Sequence, residues 1–286
     1  MAEKHRSPRI LFPRSVAEAL ELKHREPEAA FWAGGTRLGY GGSATAVLDL
    51  PKAVISLGLV DELTRAARSE HSLEIGSMMT LDRLESIGRS ALPAGLPDAL
   101  AGIGSRPLRC RATIGGHIAV GRPIGDLRPL LQLLETTVET RYLKSRSGRR
   151  KAVSVGRKLP IGRLHSDDGL RPDELIVRVI IPTETWNHAV FIKEPPLVFT
   201  ALARIEKGLL AEWRMAFRDE SGPVRRNRDL EVDMAGRPLP VDSRSIGILE
   251  QTLDRMTEKW TDREDRRAVV RRLAVGFLTD CGTATW

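Results

Sequence analysis

Cysteine is scarce in this sequence. The 286 residues contain two cysteines, Cys110 and Cys281, which stand far apart along the chain. Two thiols can provide neither a disulfide framework nor the four thiolate ligands of an iron–sulfur cluster. We therefore expect any redox chemistry of these residues to depend on a bound organic cofactor.

Long apolar runs are missing as well. No window approaches the ~20 consecutive apolar residues that a membrane-spanning helix requires. Residues 1–15 are charged where a secretory signal peptide would carry an apolar stretch. We expect a cytoplasmic chain that does not contact a membrane. Its length, with 41% hydrophobic and 29% charged residues, suits a folded protein of two or three domains.

Several catalytic and metal-binding patterns are also absent. No two of the six histidines have the i, i+3 or i, i+4 spacing of a metal site, so we expect no bound metal. There is no G-x-S-x-G segment, the motif that carries the nucleophilic serine of α/β-hydrolases, so no motif supports a hydrolase. We assign no catalytic residue to the chain.

Acidic residues are missing from one stretch, residues 141–166, which carries nine basic side chains. Residues 1–140 carry 17 basic and 16 acidic side chains, and residues 167–286 carry 19 and 21, so this stretch accounts for the whole net charge of +8. Its alternating pattern predicts a solvated hairpin, and docking onto an acidic partner protein is the alternative. Tyr142 is its one aromatic residue, so we do not expect nucleic-acid binding.

The residues that are present alternate between strand and helix patterns. Ser15 is followed by helical spacing of apolar residues up to residue 26. Short apolar segments at 29–33, 46–50 and 54–57 predict strands, which gives a β-α-β order in the first 60 residues.

A second alternating unit follows and ends with a predicted strand at 174–181. After this strand the order of predicted elements changes. Two apolar segments flank Lys207-Gly208, which is typical of a hairpin, and two amphipathic helices are predicted at about 243–260 and 262–279. We place a domain boundary at residue 183.

Two glycine-rich segments are the most informative feature. The segment 31–42 has five glycines between positions 34 and 42, and the segment 111–118 contains the pair Gly115-Gly116, which we predict to form a turn. Glycine lets a ligand approach the backbone, and successive amides can form a concavity for phosphate. Neither segment is a Walker or Rossmann fingerprint. Together they indicate an extended diphosphate ligand held from two lobes.

Four motifs carry a resemblance to a known family. In order and spacing they are similar to the FAD-binding subunit of the xanthine dehydrogenase and carbon monoxide dehydrogenase family of molybdenum hydroxylases. The similarity covers most of 25–182 and is weaker in the tail. The motifs are Ala33–Leu38, Leu73–Thr80, Arg111–Ala119 with Pro123–Asp126, and Pro172–Pro182.

The resemblance implies an α+β fold in three parts. A two-lobed α/β FAD-binding domain of the PCMH/vanillyl-alcohol-oxidase type would have its first lobe at 1–60 and its second at 61–182. A smaller C-terminal flavoprotein domain at 183–286 would contain an antiparallel sheet with helices.

The resemblance also assigns cofactor contacts position by position. The first glycine segment and the segment Thr113–His117 would hold the FAD diphosphate through backbone amides. Asp126 corresponds to an aspartate that contacts the sugar end of the cofactor. Ile103 would pack near the dinucleotide and Ile176 against adenine or the flavin region, while Lys193 lies within one residue of a family lysine. The expected cofactor-binding residues are Phe31, Trp32, Ala33, Gly34, Gly35, Thr36, Arg37, Leu38, Ile103, Thr113, Ile114, Gly115, Gly116, His117, Asp126, Ile176 and Lys193.

Three positions depart from the family pattern, namely Arg37, His117 and Arg122. His117 stands where Asn or Asp is usual, and we expect it to replace them as a hydrogen-bonding group; a base near the flavin is the alternative.

The function implied by the resemblance is electron transfer within a larger assembly. Electrons would come from a molybdopterin-binding large subunit through a [2Fe–2S] small subunit, and would pass through FAD to NAD or another acceptor. The three departures motivate a second hypothesis, a flavin-free relative that serves as a structural or assembly partner. A stand-alone FAD oxidase is the third.

Overall fold

The computed structural model describes residues 9–36, 51–120, 126–144, 152–194, 196–219, 222–260 and 264–283. The predicted strand at 46–50 lies outside these ranges. The strands, in chain order, are β1 (Arg9–Leu11), β2 (Ala30–Trp32), β3 (Ala53–Ser56), β4 (Ala66–Arg68), β5 (Ser72–Gly76), β6 (Thr137–Lys144), β7 (Val153–Pro160), β8 (Leu175–Pro182), β9 (His188–Glu194), β10 (Leu197–Glu206), β11 (Leu209–Asp219), β12 (Arg225–Arg226) and β13 (Arg237–Pro238). The helices are α1 (Val16–Arg25), α2 (Leu81–Glu85), α3 (Leu96–Ala101), α4 (Arg106–Arg109), α5 (Ile114–Ala119), α6 (Arg128–Leu133), α7 (Arg228–Met234), α8 (Ser243–Met256) and α9 (Glu264–Thr283).

The described residues form two compact units. Unit 1 draws on 1–87, 104–123 and 136–182, and unit 2 draws on 88–103, 124–135 and 183–286. Helices α3 and α6 therefore pack in unit 2, against β9 and against β10 and β11 respectively, although they precede residue 183. The division into lobes at 1–60 and 61–182 with a third domain at 183–286 stays a prediction.

Unit 1 begins with a three-stranded parallel sheet in the order β1-β3-β2. Parallel strands of one sheet need crossover connections, and α1 lies in the connection from β1 to β2, which flank β3. The helix begins where predicted, because the Ser15 hydroxyl accepts a hydrogen bond from the Glu18 amide at 3.1 Å. The apolar face of α1, which includes Leu20, is buried in one cluster with Ile55 of β3.

A five-stranded antiparallel sheet completes unit 1, in the order β4-β5-β8-β6-β7. Strands β6 and β7 pair from Thr137 opposite Pro160 to Lys144 opposite Val153, which confirms the predicted hairpin in the basic stretch. Most of β7 is exposed or half-buried. The charged residues at 145–151 lie outside the described ranges.

One buried carboxylate ties three neighbouring strands of this sheet together. The side chain of Glu174, just before β8, is 0% exposed and receives two hydrogen bonds of 2.6 Å from the guanidinium of Arg157 on β7. It also accepts from the Thr140 hydroxyl on β6 and from the Arg171 amide. Burial alone would raise the pKa of Glu174, but these donors and the Arg157 charge hold it below its ordinary value.

Unit 2 is an antiparallel sheet covered by helices. Its strands run in the order β12-β11-β10-β9, and β13 also pairs with β11. The hairpin predicted around Lys207-Gly208 is confirmed as β10 and β11. Phe199 and Phe217 of this sheet are fully buried in a core to which α8 and α9 contribute apolar side chains. The α+β class and the antiparallel sheet with helices are thus as expected. Within the described ranges, no helix has the length and apolar content to cross a bilayer.

Replacing Arg157 tests the ion pair that joins β7 to Glu174, the residue just before β8. In Arg157→Met the Glu174 carboxylate would stay buried without its cation, so we expect the free energy of unfolding at pH 7 to fall by about 2–3 kcal/mol. This is below the ~3–5 kcal/mol of fully buried pairs because the Arg157 side chain is 30% exposed. Urea unfolding measures the change.

The same variant has an expected pH dependence. A carboxyl with a lowered folded pKa stabilises the fold above its unfolded pKa and loses that contribution as the pH falls through the folded value. The difference between wild type and Arg157→Met should therefore shrink on acidification. A difference that is constant from neutral to acid pH would contradict the assignment.

Candidate cofactor site

The two glycine segments meet in unit 1 at a backbone contact. After β2 the chain passes so close to residue 111 that a Cβ added to Gly34 would lie 1.8 Å from the Arg111 carbonyl oxygen. No side chain can be accommodated at that distance, so the contact explains why position 34 is glycine. A Cβ on Gly116 would lie 3.7 Å from the Ala33 Cβ, which brings the second segment beside the first.

A third segment, Gly76–Met78, contacts the second. The Gly115 amide donates to the Ser77 carbonyl at 2.9 Å, and a Cβ on Gly115 would lie 2.6 Å from the Ser77 Cβ. The predicted turn at Gly115-Gly116 is wrong, because both residues lie in the first turn of α5. The Thr113 hydroxyl caps this helix by accepting from the Gly116 amide at 3.1 Å, and this capping order was available as a sequence signal.

The backbone amides of the second segment already have acceptors within the protein. Ile114 donates to the Met79 carbonyl at 2.9 Å, and His117 donates to the Thr113 carbonyl at 2.8 Å. The amides of Gly115 and Gly116 are engaged as described above. What the two glycines of α5 contribute in this structure is therefore space beside the backbone, and not unpaired donors.

The three segments border a cavity of about 320 Å³. The strand β8 and the residues before it form another wall. Most of the lining is apolar, as is typical of a small-molecule site. Five of the expected cofactor-binding residues line it: Phe31, Ala33, Gly115, Gly116 and Ile176.

The polar groups of this lining were not singled out from the sequence. They are Ser77, Arg171 and Glu174. The Arg171 guanidinium stacks on the Tyr142 ring at 4.2 Å from its centroid and pairs with Asp173. A signal did exist for Ser77, because it follows Gly76 in the motif 73–80, and residue 174 adjoins the motif strand β8.

Other expected residues lie next to the cavity or outside the described part of the chain. Trp32, Gly34, Gly35, Thr36, Thr113, Ile114 and His117 belong to the same segments without lining the cavity. The His117 side chain is buried on α5. Arg37, Leu38 and Arg122 fall outside the described residues.

Three expected residues lie in unit 2, namely Ile103, Asp126 and Lys193. The ammonium group of Lys193 on β9 donates to the Gly102 carbonyl at 3.1 Å, directly after α3. Ile103 is buried beside that carbonyl at 2% exposure. These two residues are thus brought together around the end of α3.

Asp126 is enclosed by arginines. Its carboxylate is 3% exposed and receives hydrogen bonds from the Arg128 guanidinium at 2.7–3.0 Å, from the Arg128 amide at 3.0 Å, and from Arg218 of β11. Burial by itself would raise the pKa of Asp126, but the bonds and charge of Arg128, with Arg218, hold it below its ordinary value. The carboxylate joins the start of α6 to the central sheet of unit 2.

Charge clusters elsewhere give no indication of a metal. Across the described ranges, no group of three or more His, Cys, Asp or Glu side chains has the arrangement of a metal site. Of the two cysteines, Cys110 is exposed and Cys281 is buried, and burial raises the pKa of the Cys281 thiol to about 12.

Removing the Asp126 charge tests its structural role. In Asp126→Asn two buried guanidinium groups would lose their carboxylate, and we expect the free energy of unfolding to fall by about 3 kcal/mol. Asp98→Asn is the matched control in the same unit, because Asp98 pairs with Arg89 at the surface. We expect this substitution to lower the free energy of unfolding by less than ~1 kcal/mol. Equal small effects of both substitutions in urea unfolding would contradict the assignment.

Two solved structures share this fold. The quinoline 2-oxidoreductase from Pseudomonas putida 86 superposes with a TM-score of 0.76 and 20% identity over 98% of each chain. The carbon monoxide dehydrogenase from Hydrogenophaga pseudoflava superposes with a TM-score of 0.77 and 19% identity over 96% of each chain. These likenesses show that the fold is the same.

Sequence similarity extends to a larger enzyme. Aldehyde oxidase 4 of Cavia porcellus is 28% identical over 241 residues, which cover 79% of this chain and only 17% of the oxidase. The family described as the FAD binding domain in molybdopterin dehydrogenase matches residues 6–184, which is more than half of the chain. The chain therefore belongs to this family of oxidoreductase components, whose cofactor is FAD.

Proposed function

We propose that the cavity of unit 1 holds part of FAD and that the protein is the electron-transferring FAD subunit of a molybdenum hydroxylase. The observation that carries the proposal is the cradle itself. Segments that carry the family motifs meet there, at backbone distances that exclude a Cβ on Gly34 and on Gly115. Ser77, a residue of the lining, carries a buried hydroxyl without a partner among the described residues, so the residues present fit a ligand with both apolar and polar groups.

The residues of the cradle have separate tasks in this proposal. Phe31 and Ile176 provide apolar walls that exclude water from one side of the cofactor. Gly115 and Gly116 allow the ligand to approach the backbone of α5. The Arg171 guanidinium, stacked on Tyr142 and paired with Asp173, provides a polar group of the lining. When bound, FAD supplies the redox chemistry, and the protein supplies binding, orientation and electrostatics.

The electron route requires groups outside these 286 residues. The sequence has two cysteines and cannot supply the four thiolate ligands of an iron–sulfur cluster. We propose that a [2Fe–2S] subunit delivers electrons from a molybdopterin-binding subunit, and that NAD or another acceptor removes them. The small share of aldehyde oxidase 4 that this chain matches supports a division of labour, because most of that protein lies outside the matched region. A cytoplasmic location belongs to the same proposal.

Flavin binding is tested by the absorbance spectrum of the full chain after incubation with FAD and gel filtration. We expect flavin bands that persist through the column. Gly115→Ala should weaken FAD binding more than tenfold, because its Cβ would collide with Ser77 and shift the cavity wall. Gly247→Ala is the matched control, since Gly247 is also helical and an added Cβ there would meet no atom within 4 Å.

The possible outcomes separate the three hypotheses for this protein. Spectra without flavin bands, even after loading, would favour the flavin-free assembly partner. Flavin bands with oxygen consumption on a small organic substrate, in the absence of partner subunits, would favour the stand-alone oxidase. Equal FAD affinity of both glycine variants would show that the cofactor does not occupy this cavity.

The partner proposal is tested by metal analysis. The tagged chain, purified from its native cells, should carry molybdenum and iron in fixed ratio to flavin, and anaerobic NADH should bleach the flavin bands. If the metals do not copurify with a flavin-loaded chain, the proposed electron route is wrong. If the metals are present but NADH has no effect, another acceptor takes the place of NAD.

A further inference from the structure

Ser77 has its backbone occupied and its hydroxyl unused. Its amide donates to the Val177 carbonyl at 3.1 Å, and its carbonyl accepts from the Gly115 amide at 2.9 Å. The residue is 4% exposed, and its Oγ has no hydrogen-bond partner among the described residues. Two neighbouring segments therefore hold the Ser77 backbone in place, while the residue belongs to the cavity lining and its side chain carries the one polar group without a described partner.

A buried hydroxyl without a partner is unfavourable. Removing a hydroxyl from water without a new hydrogen bond is unfavourable, so buried hydroxyls are almost always bonded. Of the other lining residues, Met78 beside it in the chain has only a weakly accepting thioether, and Ile176 has no acceptor in its side chain. A ligand that enters the cavity can supply the missing partner.

We propose that the Ser77 hydroxyl hydrogen-bonds a polar ring atom of the bound flavin dinucleotide and selects a heterocycle of that kind for the cavity. The inference rests on the proposed function of the cavity. An apolar cavity of about 320 Å³ with one buried hydroxyl suits a flat heterocycle that carries ring nitrogens or carbonyl oxygens. Adenine and the flavin ring both have this chemistry, and binding of the separate halves of FAD distinguishes them.

The structure offers a matched control for the hydroxyl. Thr136 is also buried in unit 1, at 1% exposure, and its Oγ1 also lacks a partner among the described residues. Thr136 does not line the cavity. Thr136→Val and Ser77→Ala thus each remove one unpaired buried hydroxyl, but only the second removes it from the proposed binding site.

The test compares flavin-free and FAD-bound protein. Neither Ser77→Ala nor Thr136→Val should lower the Tm of the flavin-free chain, because each removes an unpaired polar group. Ser77→Ala should weaken FAD binding about five- to tenfold, the value of one hydrogen bond, while Thr136→Val should leave it within twofold. Ser77→Cys, with a thiol that bonds weakly, should behave like Ser77→Ala. The affinities follow from quenching of FAD fluorescence.

Separate titrations with ADP and with FMN locate the contact. A loss of affinity in Ser77→Ala that is confined to ADP assigns the bond to the adenosine half, and a loss confined to FMN, with shifted flavin bands, assigns it to the flavin ring. If the wild-type chain binds FAD and Ser77→Ala binds it within twofold, the inference is wrong and the proposed function stands. If the wild-type chain does not bind FAD at all, the proposed function itself fails.

Discussion

The close approach of backbone segments in unit 1 is the constraint on which the site depends. The carbonyl of Arg111 lies where a side chain at position 34 would have to be, and the backbone of Ser77 lies against that of Gly115. The residues that directly follow the third segment are also bonded to the second, because the Leu81 amide donates to the Ala112 carbonyl and the Ile114 amide to the Met79 carbonyl, each at 2.9 Å. The cavity exists because these segments touch through backbone atoms, which leaves the adjoining space free of side chains.

Buried carboxylates give each unit its own electrostatic anchor. Glu174 gathers Arg157 and Thr140 in unit 1, and Asp126 gathers Arg128 and Arg218 in unit 2. A carboxylate removed from water is tolerated only when donors surround it, and both have several. Some of the basic side chains of the sequence therefore pair with buried carboxylates. Arg157, for example, belongs to the basic stretch 141–166 but is engaged with Glu174.

The contacts of Asp126 can be compared with the role that the family resemblance implies for this residue. The resemblance implies that this aspartate contacts the sugar end of FAD. In the structure its carboxylate is surrounded by arginine donors and is 3% exposed. The role seen for it is the attachment of α6 to β11. The cavity that we propose as the FAD site, in unit 1, has a different set of polar groups, with Ser77 among them.

Local patterns in the sequence determined much of this protein. The Ser15 cap, the hairpin at Lys207-Gly208, the alternation of β6 and β7 and the glycine motifs each depend on neighbours in the chain, and for this reason they predicted elements, fold class and family. The tertiary structure decided what depends on residues far apart. The Gly115 amide donates to the carbonyl of Ser77, which lies 38 positions earlier, and Asp126 is bound by Arg218, 92 positions away. Composition and spacing carry no record of which distant groups share a buried site, because burial and pairing arise only when the segments pack.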